Sequence, residues 1–149
     1  MPSGLRFETV PLSQVPSADD QDLINGSSPV VLVVDDEEII ADTRSAILNS
    51  WGYVVMTAYS AQQALELAQT ERPSYLVSDL QLNRMNGVDL AFAIRSFATD
   101  CQVILFSGEA DSLALLATAR NSLHGFTLLQ KPVHPVHLSP FFPVIEQDA

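Results

Sequence analysis

A doubly wound α/β fold, with a five-stranded parallel sheet between two layers of helices, is the architecture this sequence predicts. Short apolar runs recur at residues 30–34, 53–58, 75–78, 102–106 and 126–129, each long enough for a strand and too short for a helix. Segments of helical spacing or strong helix-start signals separate them, and strict alternation of the two implies parallel strands joined by right-handed crossovers. A third observation is chemical. Asp35, Asp36, Asp79, Ser107 and Lys131 stand where the predicted strands run out. In an open parallel sheet the ligand site lies beyond the carboxyl ends of the strands, so residues far apart in sequence are predicted to converge there.

The elements follow in order. Residues 1–29 hold Pro2, Pro11, Pro16 and Pro29 among Ser, Asp and Gln, a texture that suits a flexible leader, although Leu5, Phe7 and Thr9 alternate weakly like a short strand. Val30 to Val34 is a continuous β-branched and aliphatic run, the mark of a strand covered on both faces. A helix is predicted over residues 39–50, with Ile40, Ile47, Leu48 and Trp51 at helical spacing and Gly52 as its stop. The second strand is followed by a helix opened by Ser60, with Gln63 placed to complete a capping box and Ala64, Leu65 and Ala68 forming an apolar stripe. Arg72-Pro73 ends that helix. The third strand leads through Asn86-Gly87 into a helix over residues 88–96, the fourth strand into a helix over residues 111–119, and the fifth strand into Lys131-Pro132. Pro135 fits a first helical position, but Pro140 and Pro143 forbid a regular continuation, so the last helix is short and atypical. Phe141, Phe142, Val144 and Ile145 are expected to cover the sheet in irregular form rather than stay exposed.

Composition narrows the function. A chain of 149 residues with 47% hydrophobic content can bury one core, which fits a single domain over residues 30–138 and an irregular tail over 139–149. The net charge of -11 and the scattering of Lys and Arg argue against direct nucleic acid binding, which needs a basic surface. No apolar stretch is long enough to span a membrane, and no export signal precedes the first strand. The single cysteine, Cys101, excludes an internal disulfide and fits a cytoplasmic, reducing setting. Its apolar neighbours suit a buried thiol.

The strand-end residues suggest phosphoryl chemistry. Adjacent carboxylates repel each other unless a cation compensates, and magnesium takes one or two carboxylates together with phosphate oxygens. Asp79 can serve as ligand and nucleophile, because carboxylates attack phosphorus to give an aspartyl phosphate. A transferring phosphoryl group then requires positive charge and donors around its oxygens, which Lys131 and the Ser107 hydroxyl can offer. His134 and His137 are spaced to seat a metal, but no third ligand lies near them in sequence.

In these segments, Val-Val-Asp35-Asp36-Glu37, Ser78-Asp79 through Met85-Asn86-Gly87, Ser107-Gly108 and Lys131-Pro132, the chain resembles the receiver domain of two-component response regulators. The resemblance spans about residues 30–138 and implies a flavodoxin-like fold. It implies that Asp79 accepts a phosphoryl group from a histidine kinase or a histidine phosphotransfer protein. It further implies that Asp36, Asp35, Asp79 and the Gln81 backbone carbonyl hold Mg2+, that Lys131 and Ser107 sense the phosphoryl group, and that Gln81 and Glu109 tune its hydrolysis. Pro132 is expected after a cis peptide bond. Such a protein is a switch acting on a downstream protein, not an enzyme with a separate substrate, and with no segment after residue 149 a stand-alone receiver is expected.

Three positions depart from the family pattern. Asn83 stands where relatives often have proline and Asn86 where they often have aspartate. Leu128 stands where many receivers place a Tyr or Phe that rotates inward on activation, and Phe126 cannot replace it, since it points to the same side two residues earlier. The readout is therefore expected to run through the loop and helix after Ser107. Two alternatives remain open: a degenerate receiver serving as a constitutive interaction domain, and a dehalogenase-like phosphatase. The latter requires an aspartate where Glu37 stands.

Overall fold

Val31, Leu32, Val33 and Val34 are completely buried, as expected for a strand with neighbours on both edges and helices on both faces. That strand is β1 (Val30–Val34), and it pairs in parallel with β2 (Val54–Ala58) on one side and β3 (Tyr75–Asp79) on the other. β4 (Gln102–Ser107) and β5 (Phe126–Gln130) extend the sheet to the order β2-β1-β3-β4-β5. The computed structural model describes residues 29–108, 126–131 and 134–145. The predicted leader before Pro29 and the helix predicted over 111–119 lie outside that set, as do Glu109 and Pro132.

Helices close both faces. α1 (Glu38–Ser50) turns Ala41 and Leu48 inward and joins a core of Val31, Val33, Val77, Ile104 and Phe106. Gly52 ends the run at φ 103°, a left-handed conformation that costs glycine little. On the other face α2 (Ala61–Thr70) and α3 (Gly87–Arg95) pack against Leu32, Val34, Leu76 and Leu105. The residues that α2 turns inward, Ala61, Ala64 and Ala68, are all small. These are the three layers that the sequence predicts.

The ends of the elements show how local chemistry fixes them. The Ser60 hydroxyl accepts from the Gln63 N–H at 3.1 Å, but the Gln63 side chain reaches back to the Tyr59 N–H at 2.8 Å, one residue before the cap. The box is therefore shifted by a residue from its usual form. Asn86 caps α3 by accepting from the Asp89 N–H at 2.8 Å. Gly87 follows because the backbone is tight there: a Cβ would run into the Asp79 carbonyl oxygen. β3 includes Asp79, one residue beyond the predicted end, and β4 includes Ser107. Both are thus held by sheet pairing rather than by a free loop.

The final helix is a single turn, α4 (Pro135–Leu138), with Pro135 at its start. His134 Nδ1 accepts from the Val136 N–H at 3.2 Å and His137 Nδ1 from the His134 N–H at 3.1 Å. Both histidines cap this turn. Beyond it, Phe142 is 1% exposed and meets Tyr53 and Tyr75 at centroid distances of 5.3 and 4.7 Å. The Tyr53 hydroxyl donates to the Pro143 carbonyl at 2.8 Å, and the Ile145 N–H donates to the Trp51 carbonyl at 2.7 Å. The expected covering is carried by Phe142, with Phe141 and Ile145 half-buried beside it, whereas Val144 is 65% exposed.

Candidate functional site

The chain runs from β1 to β2 on one side and then to β3 on the other, so the connections after β1 and β3 part and leave a crevice at the carboxyl ends. Asp35 follows β1 directly, and Asp79 ends β3. One carboxylate oxygen from each of Asp35, Asp36 and Asp79 lies within 4.8 Å of the others. Asp35 and Asp79 are buried, at 1% and 7% exposure, while Asp36 is half-buried at the mouth.

Each buried carboxylate has fixed partners. Lys131, immediately after β5, places Nζ 2.8 Å from Asp79 Oδ2, and the Gln81 N–H donates to Asp79 Oδ1 at 3.3 Å. The Lys131 N–H also donates to the Ser107 carbonyl at 2.8 Å, which ties the lysine to the end of β4. Asp35 Oδ1 accepts from the Glu37 N–H at 2.9 Å, and Asp35 Oδ2 accepts from Arg44 Nη1 at 3.0 Å. Asp36 has no hydrogen bond or ion pair among the described residues. Burial holds the Asp35 carboxyl above the usual carboxylate range, while the Glu37 N–H and the Arg44 charge pull the other way.

The structure thus brings Asp35, Asp36, Asp79 and Lys131 to one spot, with Ser107 buried at the neighbouring strand end and Gln81 exposed just past Asp79. Glu109 and Pro132 are outside the described residues. Arg44 was missed in sequence as one of several scattered cations. It lies on the inner stripe of α1, three residues after buried Ala41 and four before buried Leu48. A cation at that spacing is the signal that would have found it, because a helix seldom buries a guanidinium without a partner. The donor set fits magnesium: three clustered carboxylates are hard oxygen ligands of the kind this ion prefers.

The model of the response regulator receiver domain matches residues 31–140. The chain belongs to that family. Among curated proteins, this receiver is 31% identical over 83 residues to the photosynthetic apparatus regulatory protein RegA of Cereibacter sphaeroides, covering 56% of this chain and 45% of RegA. It is 30% identical over 120 residues to an uncharacterized response regulatory protein of Staphylococcus epidermidis, covering 78% of this chain and 46% of that protein. The receiver therefore spans less than half the length of these curated relatives. Among solved structures, a CheY-like receiver domain protein of Methanospirillum hungatei superposes with a TM-score of 0.70 at 28% identity, over 77% of this chain and 90% of the other. Vibrio cholerae CheY4 gives 0.68 at 26% identity, over 80% and 100%. Membership makes this a phosphorylation-controlled signalling domain.

Leu128, the departure in β5, is half-buried and packs on the same core cluster as Phe126, so both point to one side of the strand. The loop and helix expected to read the switch after Ser107 lie outside the described residues. No described helix is long and apolar enough to cross a membrane.

Proposed function

We propose that this receiver takes a phosphoryl group from a phosphohistidine onto Asp79 and signals through the resulting change at Ser107 and Lys131. The observation that carries this reading is the contact of Lys131 Nζ with Asp79 Oδ2 at 2.8 Å, beside the two carboxylates after β1. The donor is a histidine kinase or a histidine phosphotransfer protein, and the downstream partner is a protein. A cytoplasmic location accords with the lone reduced thiol.

An Asp79 carboxylate oxygen attacks phosphorus, the new P–O bond forms as the P–N bond to the donor imidazole breaks, and the imidazole leaves with the bonding pair. The Gln81 N–H and Lys131 hold the acceptor carboxylate in place beforehand, so little reorientation is required. Lys131, 34% exposed at the mouth, can then pair with a phosphoryl oxygen while its backbone stays anchored to Ser107. The Ser107 hydroxyl, buried at the end of β4, then donates to another oxygen and biases a two-state loop. Asp36, Asp79, Asp35 and the Gln81 carbonyl would hold magnesium, which would supply positive charge against the phosphoryl oxygens. Gln81, and Glu109 beyond the described residues, are the side chains assigned to tuning hydrolysis. The domain is taken as residues 30–138, and Glu37 is exposed, which gives no support to a second acid of the dehalogenase kind.

Incubation with acetyl phosphate and magnesium should add one phosphoryl mass, read by intact-protein mass spectrometry. An Asp79→Ala protein should gain none. An unmodified wild type, or equal labelling of the variant, would overturn the assignment.

A further inference from the structure

Arg44 has an uncommon position for a cation. Its side chain is only 14% exposed, its guanidinium sits 4.0 Å over the Phe106 ring, and Nη1 bonds Asp35 Oδ2 at 3.0 Å. Phe106 is the residue of β4 in register with Asp79, so the ring that supports the guanidinium lies directly beside the acceptor strand end. Arginine remains charged at any pH a protein survives, and its flat face suits stacking as well as a carboxylate bond. The acidic cluster therefore contains a permanent positive charge of its own.

The charges can be counted. Asp35, Asp36 and Asp79 supply three negative charges; Lys131 and Arg44 supply two positive ones through direct ion pairs. Lys131 touches Asp79, where the phosphoryl group is proposed to arrive. Arg44 touches Asp35 from α1, nearly buried and close enough to Asp79 to feel its charge, and Asp35 has its other oxygen occupied by the Glu37 N–H. Of the three carboxylates, Asp36 alone lacks a partner among the described residues.

Resting on the metal-assisted reading above, we propose that Arg44 is a resident counter-charge that neutralises Asp35 and lowers the affinity of the acidic cluster for magnesium. It acts as a positioning residue through Asp35. Two consequences follow from electrostatics alone. Asp35, the most deeply buried carboxylate, is compensated by Arg44 whether or not a cation is bound. Magnesium is repelled by a fixed positive charge nearby and depends chiefly on Asp36 and Asp79, so the ion occupies the site appreciably only at higher concentrations.

Calorimetric titration of the full chain with magnesium chloride tests this. Arg44→Met and Arg44→Gln each remove the charge, and both should lower the magnesium Kd by about ten-fold, the scale of one unit charge acting a few ångströms away through a partly screened site. Arg44→Lys keeps the charge and should stay within about two- to three-fold of wild type, because it is the charge rather than the fork that opposes the ion. An unchanged or raised Kd in the two neutral variants overturns the proposal, as does a lysine variant that tightens as much as methionine. Failure of both neutral variants to fold, judged by circular dichroism, makes Arg44 a structural residue and overturns it too. A wild type with no magnesium-dependent heat, indistinguishable from Asp36→Asn, instead removes the metal reading itself. The proposal then falls with it, by a result distinct from the others.

Discussion

The two ends of the sheet are built from opposite materials. At the carboxyl ends of the strands, three carboxylates, a lysine and an arginine crowd within a few ångströms of one another. At the amino ends, Tyr53 meets Tyr75 and Phe142 edge to face while those two rings lie tilted on each other, and a proline-rich segment is pinned over them by hydrogen bonds to Tyr53 and Trp51. The same five strands run between. Burying charge is costly even when it is paired, whereas aromatic burial stabilises in proportion to area. The contrast teaches a division of labour in which one end keeps a charged crevice ready for a phosphoryl group and the other offsets its cost.

The largest expected effect falls on the aromatic end. Phe142→Ala should lower unfolding stability by about 3–5 kcal/mol in urea denaturation, the range for a fully buried aromatic, while the folded fraction still accepts phosphoryl from acetyl phosphate. Loss of labelling in folded protein would show that the two ends are not separable.

At the charged end, magnesium at one hundred times its Kd should stabilise the wild type by about 2.7 kcal/mol through linkage. Asp36→Asn should abolish most of that response and raise metal-free stability by at most about 1 kcal/mol, since it removes an unpaired charge from a repelling cluster. A variant less stable than wild type without metal would mean that Asp36 has a structural role and that the charged end is not a net cost.

The smallest effect is a pH dependence at the amino end. Burial pushes the Cys101 thiol from 9.0 up to about 12 and the Tyr53 hydroxyl from 10.0 up to about 12. A raised folded pKa means that the folded state resists losing the proton. These contributions are therefore intact below pH 9 and are lost as pH rises, first from Cys101 between 9 and 10 and then from both toward 12. Comparing wild type with Cys101→Ala by thermal melts at pH 8 to 10 isolates the thiol. Equal slopes for the two proteins would place Cys101 in contact with solvent.

How far the sequence could be read depended on how local each cause is. Val30 to Val34, the Ser60 and Asn86 caps and Gly52 act over a turn or a strand, and each falls where its residue type predicts. Gln63 met the Tyr59 N–H rather than that of Ser60, a shift of one residue that local pattern cannot resolve. Asp35, Asp36, Asp79 and Lys131 stood out because strands end there and because they resemble a family pattern. Arg44 did not, since its meaning lies in Asp35 and Phe106, one of them 62 positions away (106 minus 44).

The sequence by itself determined the alternation of strands and helices, the five-stranded doubly wound sheet and the residues available for phosphoryl chemistry, because periodicity and turn chemistry are short-range properties of the chain. Only the tertiary structure decided that Arg44 faces inward to neutralise Asp35. It alone also decided that, of the C-terminal apolar residues expected to cover the sheet, Phe142 is the one that seals its amino ends while Val144 stays exposed. Both depend on which distant groups share a desolvated space: a charge there needs a partner, an apolar ring needs cover, and neither can be read until the sheet has brought the strands together.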